Sequence, residues 1–316
     1  MKQQIVVIGS SNTDLIVKAP RIPKPGETVL GGRFIKAAGG KGANQAVAAA
    51  RAGGQVSLIA RIGEDAFGAE ALSGFQADGI DTAWIRKDAV HASGIALIVV
   101  DGQGENSIVV APGANEHLSP EEVIAAAEAI DQASIMVLQL EIPMPSIETA
   151  TRLAADRGVP VLLNPAPAQA LPAALLEQVS ILTPNETEVE SLTGIPVSDE
   201  ASARRGAHAL RDRGVDTVII TLGPRGVYCL SSSLEGLVTG FSVQAVDTTA
   251  AGDTFNGALA VALAEDVDLS EALRFAQAAA ALSVTMEGAQ PSAPLRKTIE
   301  RFLADDYGRC SRSAKS

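Results

Sequence analysis

The chain has 316 residues, 47% of them hydrophobic and 20% charged, and its 25 Lys+Arg against 37 Asp+Glu give a formal charge of −12. A chain of this length buries enough surface to fold without disulfides or a structural metal, and its composition excludes disorder as the main state. The acidic balance with only 3% aromatics argues against a duplex-binding surface or a base-stacking platform, so no nucleic-acid partner is expected.

In chain order, Met1-Lys2-Gln3-Gln4 leads straight into Ile5-Val6-Val7-Ile8, which is too short an apolar core for a signal peptide. No stretch approaches the roughly 18 to 20 apolar residues of a spanning helix, and Cys229 and Cys310 form neither a disulfide framework nor a CxxC pair. A cytoplasmic protein with no membrane partner and two inert cysteines is expected. Short β-branched runs at 5–8, 57–60, 135–139, 160–163, 181–183 and 217–221 alternate with helix-forming stretches at 42–52, 67–78, 120–130, 146–157, 185–193, 201–213, 252–264 and 270–286. That rhythm predicts an α/β fold with a mostly parallel sheet covered on both faces. Residues 12–36 and 92–110 break it, because their strand-like runs are separated by turn residues without helices. Antiparallel pairing of these runs gives a small β-sheet, either a lid over a substrate or an extension of the main sheet. One domain over 1–304 is expected, with 305–316 as a polar tail.

The glycines first raise the question of a nucleotide fingerprint. Gly9-Ser10-Ser11-Asn12-Thr13-Asp14 lacks GxGxxG, and Gly40-Lys41-Gly42 departs from a P-loop at Lys36 and in having no Ser or Thr after the lysine. The strongest local signal is Asp247-Thr248-Thr249-Ala250-Ala251-Gly252-Asp253, which leads into a helical run. Small residues at Ala250, Ala251 and Gly252 leave N–H groups uncrowded at a helix start, so that with Asp253 they form an anion hole suited to a phosphoryl group. Asp253 in the same turn is either the general base for an attacking alcohol or a simple helix cap.

This segment resembles the DTxGAGD signature of the ribokinase-like, PfkB-type carbohydrate kinase family. Gly39-Gly40-Lys41-Gly42-Ala43-Asn44-Gln45-Ala46 resembles the family's N-terminal glycine-rich signature, Asn185-Glu186-Thr187-Glu188 its NxxE motif, and Thr221-Leu222-Gly223-Pro224-Arg225-Gly226 its nucleotide loop. Further matching stretches are 9–14, 25–28, 164–168 and 288–292, and the order holds from about residue 5 to 303. The resemblance implies a three-layer α/β/α domain with a small lid. It also implies ATP-dependent phosphorylation of D-ribose at O5, feeding pentose phosphate metabolism. Deoxyribose, another pentose, a ketohexose or a nucleoside are the alternative acceptors, and a non-catalytic sugar or nucleotide sensor is the alternative of a different class.

Carried over by position, the resemblance implies a sugar site of Asn12, Asp14, Gly40, Lys41, Gly42, Ala43, Asn44, Glu141 and Asp253. Carboxylates and amides suit hydroxyls that both donate and accept. Taken singly, Asp14 is equally a turn residue, Glu141 a surface carboxylate and Lys41 a solvated charge. For ATP the matching positions are Asn185, Thr221, Leu222, Gly223, Pro224, Arg225, Gly226, Gly252, Asp253 and Gln277. Glu188, one helical turn from Asn185, is expected to hold Mg²⁺ through water, unless the two are a cap and an exposed acid. A K⁺ site is implied at Asp247, Thr249, Ser283, Met286, Gly288 and Ser292, mostly through backbone carbonyls. A homodimer through the lid sheets is expected, since an apolar lid face and open strand edges invite a partner. His91, His117 and His208 show no paired spacing, and Trp84 is expected to pack rather than stack.

Overall fold

Strand β1 (Gln4–Ile8) shows how the interior is divided. Its side chains alternate, so Ile5 and Val7 enter one hydrophobic cluster while Val6 and Ile8 enter another on the opposite face. The computed structural model describes residues 3–313, with side chains through Asp306. Besides β1 the strands are β2 (Asn12–Lys18), β3 (Arg33–Gly39), β4 (Gln55–Gly63), β5 (Ile85–Asp88), β6 (Gly94–Val100), β7 (Asn106–Ala111), β8 (Ile135–Leu138), β9 (Val161–Leu163), β10 (Ile181–Leu182), β11 (Thr217–Thr221), β12 (Gly226–Leu230) and β13 (Glu235–Thr239).

Nine of them form one sheet in the order β13-β12-β11-β10-β9-β8-β1-β4-β5, parallel from β11 to β5 and antiparallel at β11, β12 and β13. Helices Lys41–Arg51, Ala251–Ala264 and Leu269–Ser283 cover the Ile5 face, and Met144–Asp156 and Glu200–Arg211 cover the other. The expected three-layer α/β/α arrangement is therefore present. The sequence reading assigned no strand to β5 and β13, which form the two edges of the sheet, nor to β12, which is buried between β11 and β13. β5 reads Ile-Arg-Lys-Asp and β13 is alternately exposed, as edge strands with one solvated side allow.

The remaining four strands make a second sheet in the order β3-β2-β6-β7. Its ends lie at Gly39 and Ala111, slightly beyond the expected 12–36 and 92–110. One pairing differs from expectation: β2–β3 and β6–β7 are antiparallel, but the central β2–β6 pair is parallel. The reason is topological. β2 follows β1 and β6 follows β5, and β1 and β5 run in the same direction in the main sheet, so both excursions leave it in the same sense.

The last helix, Arg296–Ser313, occupies most of the stretch expected as a polar tail. It is tied to the body by the Arg274–Asp306 pair at 3.0 Å and by Phe302 edge-on to Phe241 at 5.1 Å. Residues 314–316 and the Cys310 side chain lie outside the described part, whereas Cys229 is a buried thiol. Burial pushes that thiol up to about 11, so it stays protonated and inert at neutral pH. Among the described residues no helix is long and apolar enough to cross a membrane.

Candidate active site

Two helices cross closely enough to bring their first turns together. At Gly257 a Cβ would stand 2.6 Å from the Gln45 carbonyl oxygen and 2.7 Å from the Ala48 Cβ, so only glycine admits the neighbouring helix there. One turn earlier lies Asp253, 5% exposed. Its Oδ2 accepts from Asn44 Nδ2 at 2.9 Å and its Oδ1 from Gln45 Nε2 at 3.0 Å. Asp253 is not the cap of its own helix, because that position is Ala250, held in the left-handed region at φ 57°. The N–H groups of Gly252 and Asp253 have no acceptor within the helix, and the space where a Gly252 side chain would project is open.

On one side of Asp253 the first turn of helix Lys41–Arg51 meets the ends of β1 and β8. Glu141 Oε2 accepts from Lys41 N at 2.9 Å and from Ser10 Oγ at 2.5 Å. Gly40, at φ 88°, makes the turn that aims the Lys41 N–H at this carboxylate. Asp14 on β2 lies over Gly39, where any Cβ would collide with its carboxylate. Burial, reinforced by the charges of Glu141 and Asp253, pushes its carboxyl up to about 6. Lys41 stays firmly protonated: burial opposes its charge, but Asp253, Glu141 and Glu188 together outweigh that and raise it. Asn12 Oδ1 accepts from the buried Asn115 at 2.7 Å, while Asn115 also exchanges bonds with the Ser11 backbone at 2.8 and 3.1 Å. Asn115 thereby fixes which way the Asn12 amide faces and leaves its Nδ2 free to donate outward. A cavity of 670 Å³ opens here, lined by Asn12, Val110, Asn115, Glu116, Leu140, Glu141 and neighbouring prolines.

On the other side is a 460 Å³ cavity walled by Thr221, Gly223, Pro224, Gly226, Phe241, Val243, Thr248, Ala251, Gly252, Phe255, Gln277 and Val284, among others. Gln277 is 6% exposed, and neither its Oε1 nor its Nε2 has a partner. A buried amide left unpaired is costly, and this one stands at the cavity wall with both its donor and its acceptor uncommitted.

The structure does not gather every expected residue. Ala43 lies wholly in the hydrophobic core and its N–H is committed to Ser10 O at 2.8 Å. Gly42 packs on the Gly9-Ser10 backbone. Leu222 is likewise buried in the core, and Arg225 turns away to Glu186 and, at 2.8 Å, to Ser198 O. Neither is among the residues walling the 460 Å³ cavity. Asn185 and Glu188 form a capping box, with Asn185 N and Nδ2 donating to Glu188 at 2.8 and 2.9 Å. Glu188 is nevertheless 7% exposed rather than a surface acid, and burial is the main cause that raises its carboxyl. Such a desolvated carboxylate fits a hydrated divalent cation, since its oxygens keep lone pairs beyond the cap bonds.

Of the positions expected to hold a monovalent cation, Asp247, Thr249 and Gly288 are joined by hydrogen bonds. Asp247 accepts from Thr249 N and from Gly288 N, both at 2.9 Å, and so pins the 247–249 turn to the segment after Ser283. Ser283 and Ser292 are buried, with hydroxyls donating to Ala280 O at 2.9 Å and Ala289 O at 2.8 Å. Half the Met286 side chain is exposed, so only its carbonyl counts. One carboxylate among neutral oxygens suits a hard, singly charged ion rather than a transition metal. Among the described residues no group of three His, Cys, Asp or Glu side chains is placed to bind a metal. His91 and His117 do meet, stacked at 3.5 Å with His91 on Asp88, but neither is among the residues lining the 670 Å³ or the 460 Å³ cavity.

Sequence reasoning also passed over Ser10, Gln45, Asn115, Gln139 and Asn164. Gln45 and Asn164 stand inside the stretches that matched, which was the available signal. Gln139 and Asn115 are amides without charge or spacing to mark them.

Over residues 2–296 the sequence matches the pfkB family carbohydrate kinase profile. The chain belongs to that family. It is therefore a phosphotransferase with an alcohol group as acceptor. It is 49% identical to a ribokinase of Haemophilus influenzae over 304 residues, covering 96% of this chain and 99% of the relative. A deoxyribokinase of Salmonella typhi is 39% identical over 301 residues, covering 95% and 98%. The structure of Arabidopsis thaliana ribokinase complexed with ribose and ATP superimposes with a TM-score of 0.88 at 35% identity, covering 96% of this chain and 99% of that one.

Proposed function

We propose that the chain transfers the γ-phosphoryl group of ATP to O5 of D-ribose, releasing ADP and D-ribose 5-phosphate. The ribokinases among its relatives support these substrates. The observation that carries the reading is Asp253, a buried carboxylate held by Asn44 and Gln45. It follows Gly252 of the nucleotide-side cavity and is felt electrostatically by Asp14 and Lys41 on the sugar side.

Asp14 and Glu141 accept from sugar hydroxyls, Asn12 Nδ2 and Lys41 donate to them, and Asp253 takes the proton from O5–H. The alkoxide then attacks the γ-phosphorus in line, forming the O5–P bond as the bond to the β-phosphate oxygen breaks. Negative charge on the transferring group is met by the N–H groups of Gly252 and Asp253 and by Lys41. Glu188 would hold Mg²⁺ through water, and the bound ion supplies neutralisation of phosphate charge. Asp247, with Thr249, Ser283, Met286, Gly288 and Ser292, would hold K⁺, whose charge steadies the turn before Asp253. The β2, β3, β6 and β7 sheet acts as the lid. Its outward side carries exposed Val17, Phe34, Leu97 and Val109, which fit a second copy's lid in a homodimer. A cytoplasmic location accords with the free Cys229 thiol.

Asp253→Asn is expected to lower kcat by about 10²- to 10⁴-fold with ribose and ATP binding retained; wild-type turnover would remove Asp253 from the role. A second reading, 2-deoxyribose as acceptor, is favoured by the deoxyribokinase relative. Comparing kcat/KM for ribose, 2-deoxyribose, fructose and adenosine decides between them, and a preference for any but ribose overturns the first.

A further inference from the structure

We propose that Gln45 is a positioning residue for phosphoryl transfer, whose side-chain amide, locked by Asn164 and Gln139, fixes the plane of the Asp253 carboxylate. The inference rests on the reading of Asp253 as the base. Thr183 O can only accept, and it takes Asn164 Nδ2 at 3.1 Å, so Asn164 Oδ1 must face Gln45. Gln45 Nε2 donates to that oxygen at 3.2 Å and to Asp253 Oδ1 at 3.0 Å, which uses both amide hydrogens. Gln45 Oε1 in turn accepts from Gln139 Nε2 at 2.6 Å.

A flipped Gln45 amide would set its oxygen against two acceptors and its NH₂ against another NH₂. All four side chains in the chain of bonds are buried, so water cannot relieve either clash. Gln139, Asn164 and Thr183 directly follow β8, β9 and β10, three adjacent strands of the main sheet. The relay therefore transmits the rigidity of the sheet to a carboxylate on a separate helix. Asn44 alone, bonded to Oδ2, would leave Asp253 one point of attachment and freedom to rotate; Gln45 supplies the second point.

The test is Gln45→Met, similar in shape but without hydrogen-bonding groups, assayed on the full-length protein for kcat, KM and thermal unfolding. The expected result is a kcat lower by about 10- to 100-fold, a fraction of a base's whole contribution, with KM for ribose changed less than about threefold. Wild-type kcat would overturn the proposal, and so would a loss carried by KM for ribose with kcat unchanged, whatever happens to thermal stability. If Gln45→Met does not fold, Gln139→Met removes only the donor to the Gln45 amide oxygen and leaves the bonds of its NH₂ in place. A drop of about 3- to 10-fold in kcat is then expected, and no drop overturns the inference. Asp253→Asn separates the two levels: if it turns over normally the base reading itself fails, whereas an inactive Asp253→Asn beside a fully active Gln45→Met sinks the positioning role alone.

Discussion

On the proposed sugar side of the cleft, Asn12, Asp14, Lys41, Asn44 and Glu141 present charges or amides, and the buried neighbours Asn115 and Ser10 dictate where Asn12 and Glu141 point. On the nucleotide side the 460 Å³ cavity is walled largely by Gly, Ala, Pro, Val and Phe, and Gln277 is its one buried amide without partners. Under the proposed function, the first arrangement would read a ligand through directional side chains, and the second would accept one through shape, backbone N–H groups and a single polar contact. Substitutions should therefore hurt unequally on the two sides, and three experiments probe that asymmetry in order of expected effect.

The largest is Asp14→Asn. Loss of a charged acceptor in a buried site should raise KM for ribose by about 10- to 100-fold, with KM for ATP nearly unchanged. Because the Asp14 carboxyl is raised to about 6, wild-type KM for ribose should climb as pH falls through that value, and the Asn variant should lose this dependence. The stability effect has the opposite sign. A carboxyl raised from 3.8 to about 6 binds its proton more tightly in the folded state, so from about pH 4 to 6 stability falls as pH rises. At pH 7 the charged group therefore works against folding, and Asp14→Asn should stabilise the protein by on the order of 1 to 3 kcal/mol. A variant that loses both ribose affinity and stability would break this account.

The intermediate case is Gln277→Leu. Removing one neutral amide should raise KM for ATP by about 3- to 10-fold, leave KM for ribose alone and slightly improve stability, since an unpaired buried amide disappears. An effect on ATP as large as that of Asp14→Asn on ribose would erase the asymmetry.

The same contrast explains what could be read from sequence. Strands such as 135–138 and helices such as 251–264 announce themselves through apolar runs and alanine periodicity, because the main sheet is buried on both faces. β5 and β13 do not, since an edge strand needs only half its side chains inside. The parallel β2–β6 pair was invisible because strand direction follows from where the chain leaves the main sheet, not from local pattern. Asp253, Lys41 and Glu141 stood out as charges within recognisable motifs. Leu222, Arg225, Gly42 and Ala43 were carried into the site by adjacency within those motifs, although alternate residues in a loop or helix face opposite ways. Asn115 and Gln139 were missed because a buried amide acts through partners distant in sequence.

The smallest effect concerns Ala250, the residue where the nucleotide side depends most on backbone shape. Its φ of 57° is a conformation that costs an L-residue about 1 to 2 kcal/mol and glycine almost nothing. Ala250→Gly relieves that strain but adds freedom to the unfolded chain worth about 0.4 to 1 kcal/mol. A net gain of about 0.5 kcal/mol is expected, read as a rise of one or two degrees in Tm. Ala250→Val should go the other way by about 1 kcal/mol or more, since a β-branched side chain tolerates the left-handed region poorly, and kcat should drop with it as the N–H groups of Gly252 and Asp253 lose their aim. If valine were as stable and active as alanine, the turn would not be held in this conformation, and backbone geometry could not be what the nucleotide side uses in place of side chains.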